Sequence, residues 1–420
     1  MPADALKCKE CSATYPLDAR YVCERCFGPL EVAYTISDSD PTELKRRIQA
    51  GPQTLWRYAD FLPCDPSQPP LAPLPTGMTP LVRADRLAER LGLGELWIKN
   101  ETANPTHSFK DRVVSVALAR ARELGFDTLA CPSTGNLANA VAAHAAAAGL
   151  PAYVFIPGDL EEEKILATGA YGARVVGVRG NYDAVNRLCT ELSAERDGWA
   201  FVNVNVRPYY AEGSKTLAYE TAEQLGWELP DRVVAPIASG SLFTKVARGF
   251  SEFLDVGLLE GALPAMNGAQ AEGCSPVAQA WAAGTDVCRP VKPDTIAKSL
   301  AIGNPADGPY AVELARATGG GIDAVTDDEV RAGIRLLAET TGIFTETAGG
   351  VTTAVLAKLA ERGDIDPGER VVAYITGDGL KTIDAVRGTF EVADIEPTVE
   401  AFEAAVEPDD RASSEPGVAV

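Results

Sequence analysis

The sequence predicts an α/β protein with two parallel-sheet domains that follow a small cysteine-rich module. Apolar segments of strand length alternate with segments of helical periodicity from residue 95 to 196, and a second such series runs from 213 to 375. Repeated βα units of this kind build a parallel sheet with helices on both faces. Two domains built in this way would enclose a cleft, which is the usual place for a ligand.

The cysteine-rich module is defined by two close pairs, "CKEC" at Cys8 and Cys11 and "CERC" at Cys23 and Cys26. Each pair can form a knuckle, and the C-x2-C-x11-C-x2-C spacing predicts one tetrahedral Zn2+ held by four thiolates. Because protein atoms would fill all four positions, we expect a structural zinc in a ribbon-like module over residues 1–36. The alternatives are two disulfides or a remnant that binds no metal.

A covering segment is predicted between the module and the first α/β series. The run from 63 to 80 is rich in proline and cannot hold a helix or a central strand. We therefore assign the remaining chain to a linker, a large domain in two parts, a small α/β domain and an acidic tail whose end is expected to be disordered. These are residues 37–80, 81–109 with 206–395, 110–205 and 396–420, respectively.

The individual elements follow from their apolar patterns. In the first series, "ELWIKNE" predicts a strand, and "SFKDRVVSVALARAREL" predicts a helix with Ser108 as its N-cap. In the second series, "RVVAPI" and "RVVAYI" predict strands, and helices are expected near 213–225, 242–254, 327–341 and 350–362.

The composition narrows the class of function. A formal net charge of -21 disfavours nucleic acid and anionic membranes as partners, because their phosphates would be repelled. No apolar run reaches the ~18 residues that span a bilayer, and the N-terminus lacks a signal-type segment, so we expect a cytoplasmic protein with a small ligand. The acidic surface would suit a high-salt cytoplasm, as in halophiles, although simple solubilisation explains it equally.

Three loops of small and hydroxyl residues lie where a strand ends and a helix begins. Backbone N–H groups and the helix dipole can hold an anion at such a point, although any tight turn also needs small residues. Neither a Walker-type loop nor a convincing dinucleotide fingerprint is present in the sequence, which disfavours ATP and NAD. The loops comprise Ser133, Thr134, Gly135 and Asn136; Ala238, Ser239, Gly240, Ser241 and Leu242; and Thr376, Gly377, Asp378 and Gly379.

A lysine occupies the segment "NPTHSFKDR" at 104–112. Lys110 could be a solvated charge, a phosphate ligand or an amine held for covalent chemistry. This segment, the three loops, "IGNP" at 302–305 and "ETAGG" at 346–350 together resemble the threonine synthase family of fold type II pyridoxal-phosphate (PLP) enzymes. The resemblance extends to about residue 395 and implies a two-domain fold like that of the tryptophan synthase β subunit.

The resemblance implies roles for the matching positions. Lys110 would form the covalent bond to PLP, and Asn136 would contact the ring hydroxyl. Residues 238–242 would hold the cofactor phosphate. Thr376 would face the pyridine nitrogen, and its neutral hydroxyl would leave that nitrogen largely unprotonated. The enzyme would be a lyase and, by resemblance, a homodimer.

The implied reaction converts O-phospho-L-homoserine and water to L-threonine and phosphate. The freed amine of Lys110 would move the α proton and later a β proton. The protein must then bind the phosphate of the substrate in addition to that of the cofactor. Arg207 and Lys215 are cationic candidates for this role, and the alternative is that they form ordinary salt bridges. In bacterial members an arginine falls nearer the position of Tyr210. The candidate substrate ligands are Ser133, Thr134, Asn205, Arg207 and Lys215.

Three alternatives remain open at this point. Two are other fold type II PLP enzymes, a cysteate synthase acting on O-phosphoserine and a threonine/serine dehydratase. The third is a non-catalytic sensor of amino acids or phosphate, which would not need Lys110. His107 could act as a general acid, but it is expected rather to pack or cap its loop. His144, Asp111 and Arg112 are expected to be structural.

Overall fold

The computed structural model describes residues 3–35, 40–65, 72–133, 135–158, 162–180 and 182–412. These residues form three sheets. The first is a three-stranded antiparallel sheet in the order β2-β1-β3, within the cysteine-rich module. Its strands are β1 (Ala3–Cys8), β2 (Thr14–Tyr15) and β3 (Leu30–Tyr34).

The other two sheets confirm the predicted α/β class. One has the order β12-β11-β10-β13-β5-β4 and is parallel except for its last pair; the other has the order β8-β7-β6-β9 and is parallel throughout. Their strands are β4 (Leu81–Arg83), β5 (Glu95–Asn100), β6 (Thr128–Pro132), β7 (Ala152–Pro157), β8 (Arg174–Val178), β9 (Trp199–Phe201), β10 (Arg232–Pro236), β11 (Ala265–Ala271), β12 (Gly321–Val325) and β13 (Arg370–Ile375).

Helices cover both parallel sheets. They are α1 (Pro41–Ala50), α2 (Asp85–Leu91), α3 (Lys110–Glu123), α4 (Asn136–Ala148), α5 (Glu162–Gly169), α6 (Tyr182–Glu195), α7 (Arg207–Glu212), α8 (Thr216–Gln224), α9 (Ser241–Asp255), α10 (Pro276–Ala282), α11 (Gly308–Ala317), α12 (Asp327–Thr341), α13 (Thr347–Glu361) and α14 (Val399–Ala412). Among the described residues, no helix is both long and apolar enough to cross a membrane.

Burial explains why these strands read as continuous apolar runs. Every residue of β6 and of β10 is buried, as expected for parallel strands with helices on both faces. The cysteine-rich module shares in this core, because Leu6 and Val32 pack in one cluster with Val113 of α3. The module is therefore docked onto the domain of the four-stranded sheet, whose strands β6 and β7 contribute to the same cluster.

Several element boundaries differ from the sequence expectations. Ser108 is not the N-cap of α3, because Phe109 takes that position and Ser108 forms a bridge with Gly377. The helix expected near 213–225 begins with a 3-10 turn at Gly213–Lys215, which follows α7 directly and precedes α8. Within the predicted acidic tail, residues 399–412 form α14, and the end of that tail lies outside the described residues.

Candidate active site

The lysine loop is attached to the exit of strand β13. The backbone N–H of Phe109 donates to the carbonyl of Thr376 at 3.0 Å, and that of Asp378 donates to the carbonyl of His107 at 3.0 Å. Thr376 is buried, and it directly follows the last residue of β13. Lys110 and Thr376, which are far apart in the chain, therefore lie on two loops that hold each other in place.

The amine of Lys110 has a hydroxyl partner. Lys110 is the first residue of α3, and its Nζ donates to Oη of Tyr210 at 3.0 Å. The same nitrogen lies 4.5 Å from the ring centroid of Phe109. Tyr210 belongs to α7 and was not among the residues predicted for the site. The one sequence signal for it is the resemblance to bacterial members, in which an arginine falls nearer this position.

Asn136, at the start of α4, lies between two charged groups of the large sheet's domain. Its Nδ2 donates to Oε1 and Oε2 of Glu346 at 3.0 and 2.9 Å, and its Oδ1 accepts from Nζ of Lys381 at 2.8 Å. Burial raises the pKa of Glu346, while the hydrogen bond from Asn136 and the charge of Lys381 oppose that rise. Glu346 and Lys381 lie in motifs noted in the sequence, but neither was given a role.

The predicted phosphate loop forms a cradle at the start of α9. Gly240 has a φ of +96°, and a Cβ there would meet the carbonyl oxygen of Asp307 at 2.6 Å. The N–H of Asp307 in turn donates to the carbonyl of Ser239 at 2.8 Å. Because glycine caps this 15-residue helix, the first turn offers its N–H groups and positive dipole end to an anion.

Comparison with known proteins identifies the family to which this chain belongs. The sequence profile of a family described as pyridoxal-phosphate dependent enzyme matches residues 73–377. The threonine synthase of Methanocaldococcus jannaschii is 39% identical over 93% of this chain and 96% of its own length, and that of Methanosarcina acetivorans is 38% identical over 94% and 95%. The chain belongs to the threonine synthase family of PLP-dependent enzymes.

Solved structures support the fold type. A processed form of threonine deaminase isoform 2 from Solanum lycopersicum superposes with a TM-score of 0.64. The match covers 84% of this chain and 95% of that one, at 22% sequence identity. At this level of identity the likeness shows the fold, which is the expected type II fold of PLP enzymes.

The residues of the site fit PLP, the cofactor of the family. The cofactor carries an aldehyde, a ring hydroxyl, a pyridine nitrogen and a phosphate, and each group has a counterpart here. The amine of Lys110 suits the aldehyde, the amide of Asn136 suits the hydroxyl, and the Gly240 cradle suits the phosphate. Residues 238–242 remain the predicted phosphate ligands, and Thr376 remains the predicted neighbour of the ring nitrogen.

The candidate substrate ligands of this threonine synthase family member have different surroundings. Ser133 is buried in the loop before α4, and its Oγ accepts from the N–H of Gly135 at 3.4 Å. Thr134 lies outside the described residues. Arg207, at the start of α7, donates to Asp307 at 3.0 Å and lines a small cavity together with Ser241. Arg207 is thus near the phosphate cradle.

Asn205 and Lys215 are engaged elsewhere. Asn205 accepts from the N–H of Phe201 and donates to the carbonyl of Trp199, so its amide braces the turn after β9. Lys215 is fully buried, and its Nζ contacts Glu212 at 2.6 Å and Glu252 at 3.0 Å. Its amine is therefore enclosed in an ion cluster in this structure, and the assignment of Lys215 as a substrate ligand stays a prediction.

The other charged residues of the lysine segment are structural, as expected. Asp111 is buried and accepts from the N–H of Thr106 at 2.7 Å and lies 3.0 Å from Nε2 of His144. Arg112 is buried, and its Nε forms an ion pair with Oε2 of the buried Glu101 at 2.6 Å. These bonds fix the loop and the start of α3, and so they fix the position of Lys110.

The four cysteines of the module come together as the spacing predicts. One ligand atom from each of Cys8, Cys11, Cys23 and Cys26 lies within 4.8 Å of all the others. The sulfur atoms of Cys8 and Cys26 are 3.5 Å apart, as are those of Cys11 and Cys23. A disulfide needs about 2.05 Å. The cluster therefore fits a tetrahedral metal ion better than it fits two disulfides.

Proposed function

We propose that this protein is a threonine synthase that converts O-phospho-L-homoserine and water to L-threonine and inorganic phosphate. The observation that carries the proposal is the similarity to two proteins named threonine synthase, at 39% and 38% identity over more than nine tenths of each chain. The site agrees with it, because a lysine amine and a phosphate cradle occupy the positions that the family motifs assign.

PLP, when bound, supplies the electron sink for carbanion chemistry. The protein supplies position and proton transfer. Nζ of Lys110 takes the α proton of the substrate and later a proton from the β carbon. The hydroxyl of Tyr210 accepts a hydrogen bond from this nitrogen and keeps it directed at the reacting atoms. Asn136 orients the ring, and Thr376 offers the ring nitrogen a neutral neighbour.

The second phosphate of the reaction belongs to the substrate. Arg207 is the candidate that the surroundings support best, because its side chain is 24% exposed and lies beside Ser241 of the cradle. A guanidinium can bind a phosphate through two parallel hydrogen bonds while it retains Asp307 as a neighbour. Ser133 would contribute a hydroxyl from the loop before α4, and Thr134 remains a predicted ligand from its sequence position alone. Asn205 would act only through the backbone that it braces.

The proposal extends to metal and assembly. The four-cysteine cluster would hold one structural Zn2+, since all four positions are filled by protein thiolates. The functional unit would be a homodimer.

The decisive experiment is product analysis of the purified protein with PLP and O-phospho-L-homoserine. We expect equimolar phosphate and threonine, and we expect Lys110→Ala to abolish both products and the visible absorbance of the lysine-bound cofactor. Formation of 2-oxobutyrate would favour a dehydratase, and turnover of O-phosphoserine alone would favour a cysteate synthase. A colourless protein that binds amino acids without turnover would indicate a sensor.

A further inference from the structure

A polar bridge of three side chains crosses between the two parallel-sheet domains. Asn136 begins α4 beside the four-stranded sheet, whereas Glu346 precedes α13 and Lys381 follows β13 beside the six-stranded sheet. The amide of Asn136 contacts both charged groups, at 2.8 to 3.0 Å. We call these three residues the amide bridge.

The amide bridge allows only one orientation of the Asn136 side chain. A lysine ammonium can only donate and a carboxylate can only accept, so Oδ1 must face Lys381 and Nδ2 must face Glu346. Rotation of the amide by 180° would oppose donor to donor and acceptor to acceptor. Nδ2 has two hydrogens on widely diverging bonds, whereas its two contacts are to the neighbouring oxygens of a single carboxylate, which cannot align with both N–H bonds at once. One N–H therefore remains for a further acceptor.

The bridge is anchored at both charged ends. Glu346 is 3% exposed, and its backbone N–H donates to the carbonyl of Gly377 at 3.0 Å. Its carboxylate packs so closely on Gly377 that a Cβ there would collide with it. The ammonium of Lys381 also donates to the carbonyl of Thr106, in the loop that carries Lys110. In this setting the charges are screened little by water, which strengthens each hydrogen bond.

We propose that Glu346 and Lys381 are positioning residues that fix the amide of Asn136 so that its remaining N–H is directed at the ring oxygen of PLP. They act through Asn136 and through the attachment of its loop to the lysine loop. The inference deepens the proposed function, since it rests on the expected contact between Asn136 and the cofactor. It identifies Glu346 and Lys381 as two residues that set the affinity for PLP without binding its phosphate group.

The test measures PLP affinity of the apoprotein by absorbance titration, in the absence of substrate. We expect Lys381→Met and Glu346→Gln each to raise the Kd for PLP on the order of tenfold, as loss of a hydrogen bond to a charged group does. Lys381→Arg keeps a donor and should restore most of the affinity. The matched control is Lys358→Met, which removes a lysine bonded to the carbonyl of Ala324 in the same domain and should leave the Kd unchanged.

A double-mutant cycle separates positioning from general damage. In an Asn136→Ala background, Lys381→Met and Glu346→Gln should have little further effect on the Kd. Equal losses in both backgrounds, or an unchanged Kd in the single variants, would overturn the inference. If Lys381→Met does not fold, Glu346→Gln carries the same cycle. Because no substrate is present, a protein that passes this test but makes no threonine would refute the proposed function alone.

Discussion

At the residue scale, Tyr210 is the direct partner of the lysine amine. We expect Tyr210→Phe to lower kcat on the order of tenfold or more, because the ring stays in place while the hydrogen bond that directs Nζ of Lys110 is lost. The measurement is the steady-state rate of phosphate release. Tyr209→Phe is the matched control, since that hydroxyl donates to the carbonyl of Asp18 in the cysteine-rich module. Equal kcat values for the two variants would contradict a role for Tyr210.

Residues of the site could be found from the sequence when a local motif carried them. Lys110 stood out because its segment is distinctive, whereas Tyr210 and Lys381 contact partners that are 100 and 245 positions away. No periodicity or spacing reports such a contact. The same reason explains why the enclosure of Lys215 was not foreseen, since its partner Glu252 lies 37 positions further along the chain. A lysine in a polar stretch looks available until the helices that enclose it are known.

At the scale of elements, the cysteine-rich module is attached to the catalytic body by polar contacts as well as by the apolar cluster that it shares with α3. The hydroxyl of Tyr34 donates to Glu212 at 2.6 Å, and Lys9 lies 3.6 Å from Asp307, whose backbone packs against Gly240. Lys9 lies between Cys8 and Cys11 in the sequence. Lys9 and Asp307 thus link the four-cysteine cluster to the loop of the predicted phosphate cradle.

We expect one zinc per chain in the reduced protein and a clear loss of thermal stability on its removal, because so small a sheet has little core of its own. Metal analysis and thermal unfolding, before and after chelation, measure both effects. Cys11→Ser should lower zinc content and melting temperature, whereas Cys288→Ser, outside the cluster, should leave the zinc content unchanged. Reduced protein without zinc would show that the cluster is a remnant.

A fully buried ion network joins the lysine helix α3 to α8. Arg112 contacts Glu101 and Glu220, and Lys99 contacts Glu220 at 2.8 Å. Burial acts to raise the pKa of Glu220, but the charges of Arg112 and Lys99 outweigh it and lower the pKa from 4.5 to about 2. Charged residues in a helical pattern look like a solvated face, which is why the sequence did not reveal this network.

The lowered pKa of Glu220 determines how stability depends on pH. A carboxyl whose pKa is lower in the folded state contributes stability fully above its unfolded value of 4.5, and this contribution is lost as the pH falls toward about 2. The free energy of unfolding, from urea titrations between pH 7 and pH 2, should therefore decline across that window. Glu220→Gln should be less stable at pH 7 by about 3–5 kcal/mol and should show a shallower acid decline. An identical pH slope in wild type and variant would contradict the assignment.

At the scale of the whole molecule, the α/β class and the parallel sheets could be predicted from the alternation of strand-length and helical segments. Strands that are buried on both faces appear in the sequence as continuous apolar runs. The 3-10 turn between α7 and α8 could not be predicted in this way, since it lies where Gly213 packs against the backbone of Arg112, a residue far away in the chain. Global charge was visible from composition, but its consequence for stability depends on how it is distributed.

A net charge of -21 should make the folded state sensitive to salt. Repulsion among the excess carboxylates opposes the compact state, and it is screened as the Debye length falls from about 10 Å at 0.1 M salt to about 3 Å at 1 M. Salt also weakens exposed ion pairs such as Arg46 with Glu43, but each of these contributes little, and the large buried networks are shielded from it. We therefore expect the melting temperature to rise by several degrees between 0.1 and 2 M KCl. Sucrose at equal osmolality, which screens no charge, is the control, and a melting temperature that is flat or falls with KCl would show that the acidic surface does not limit stability.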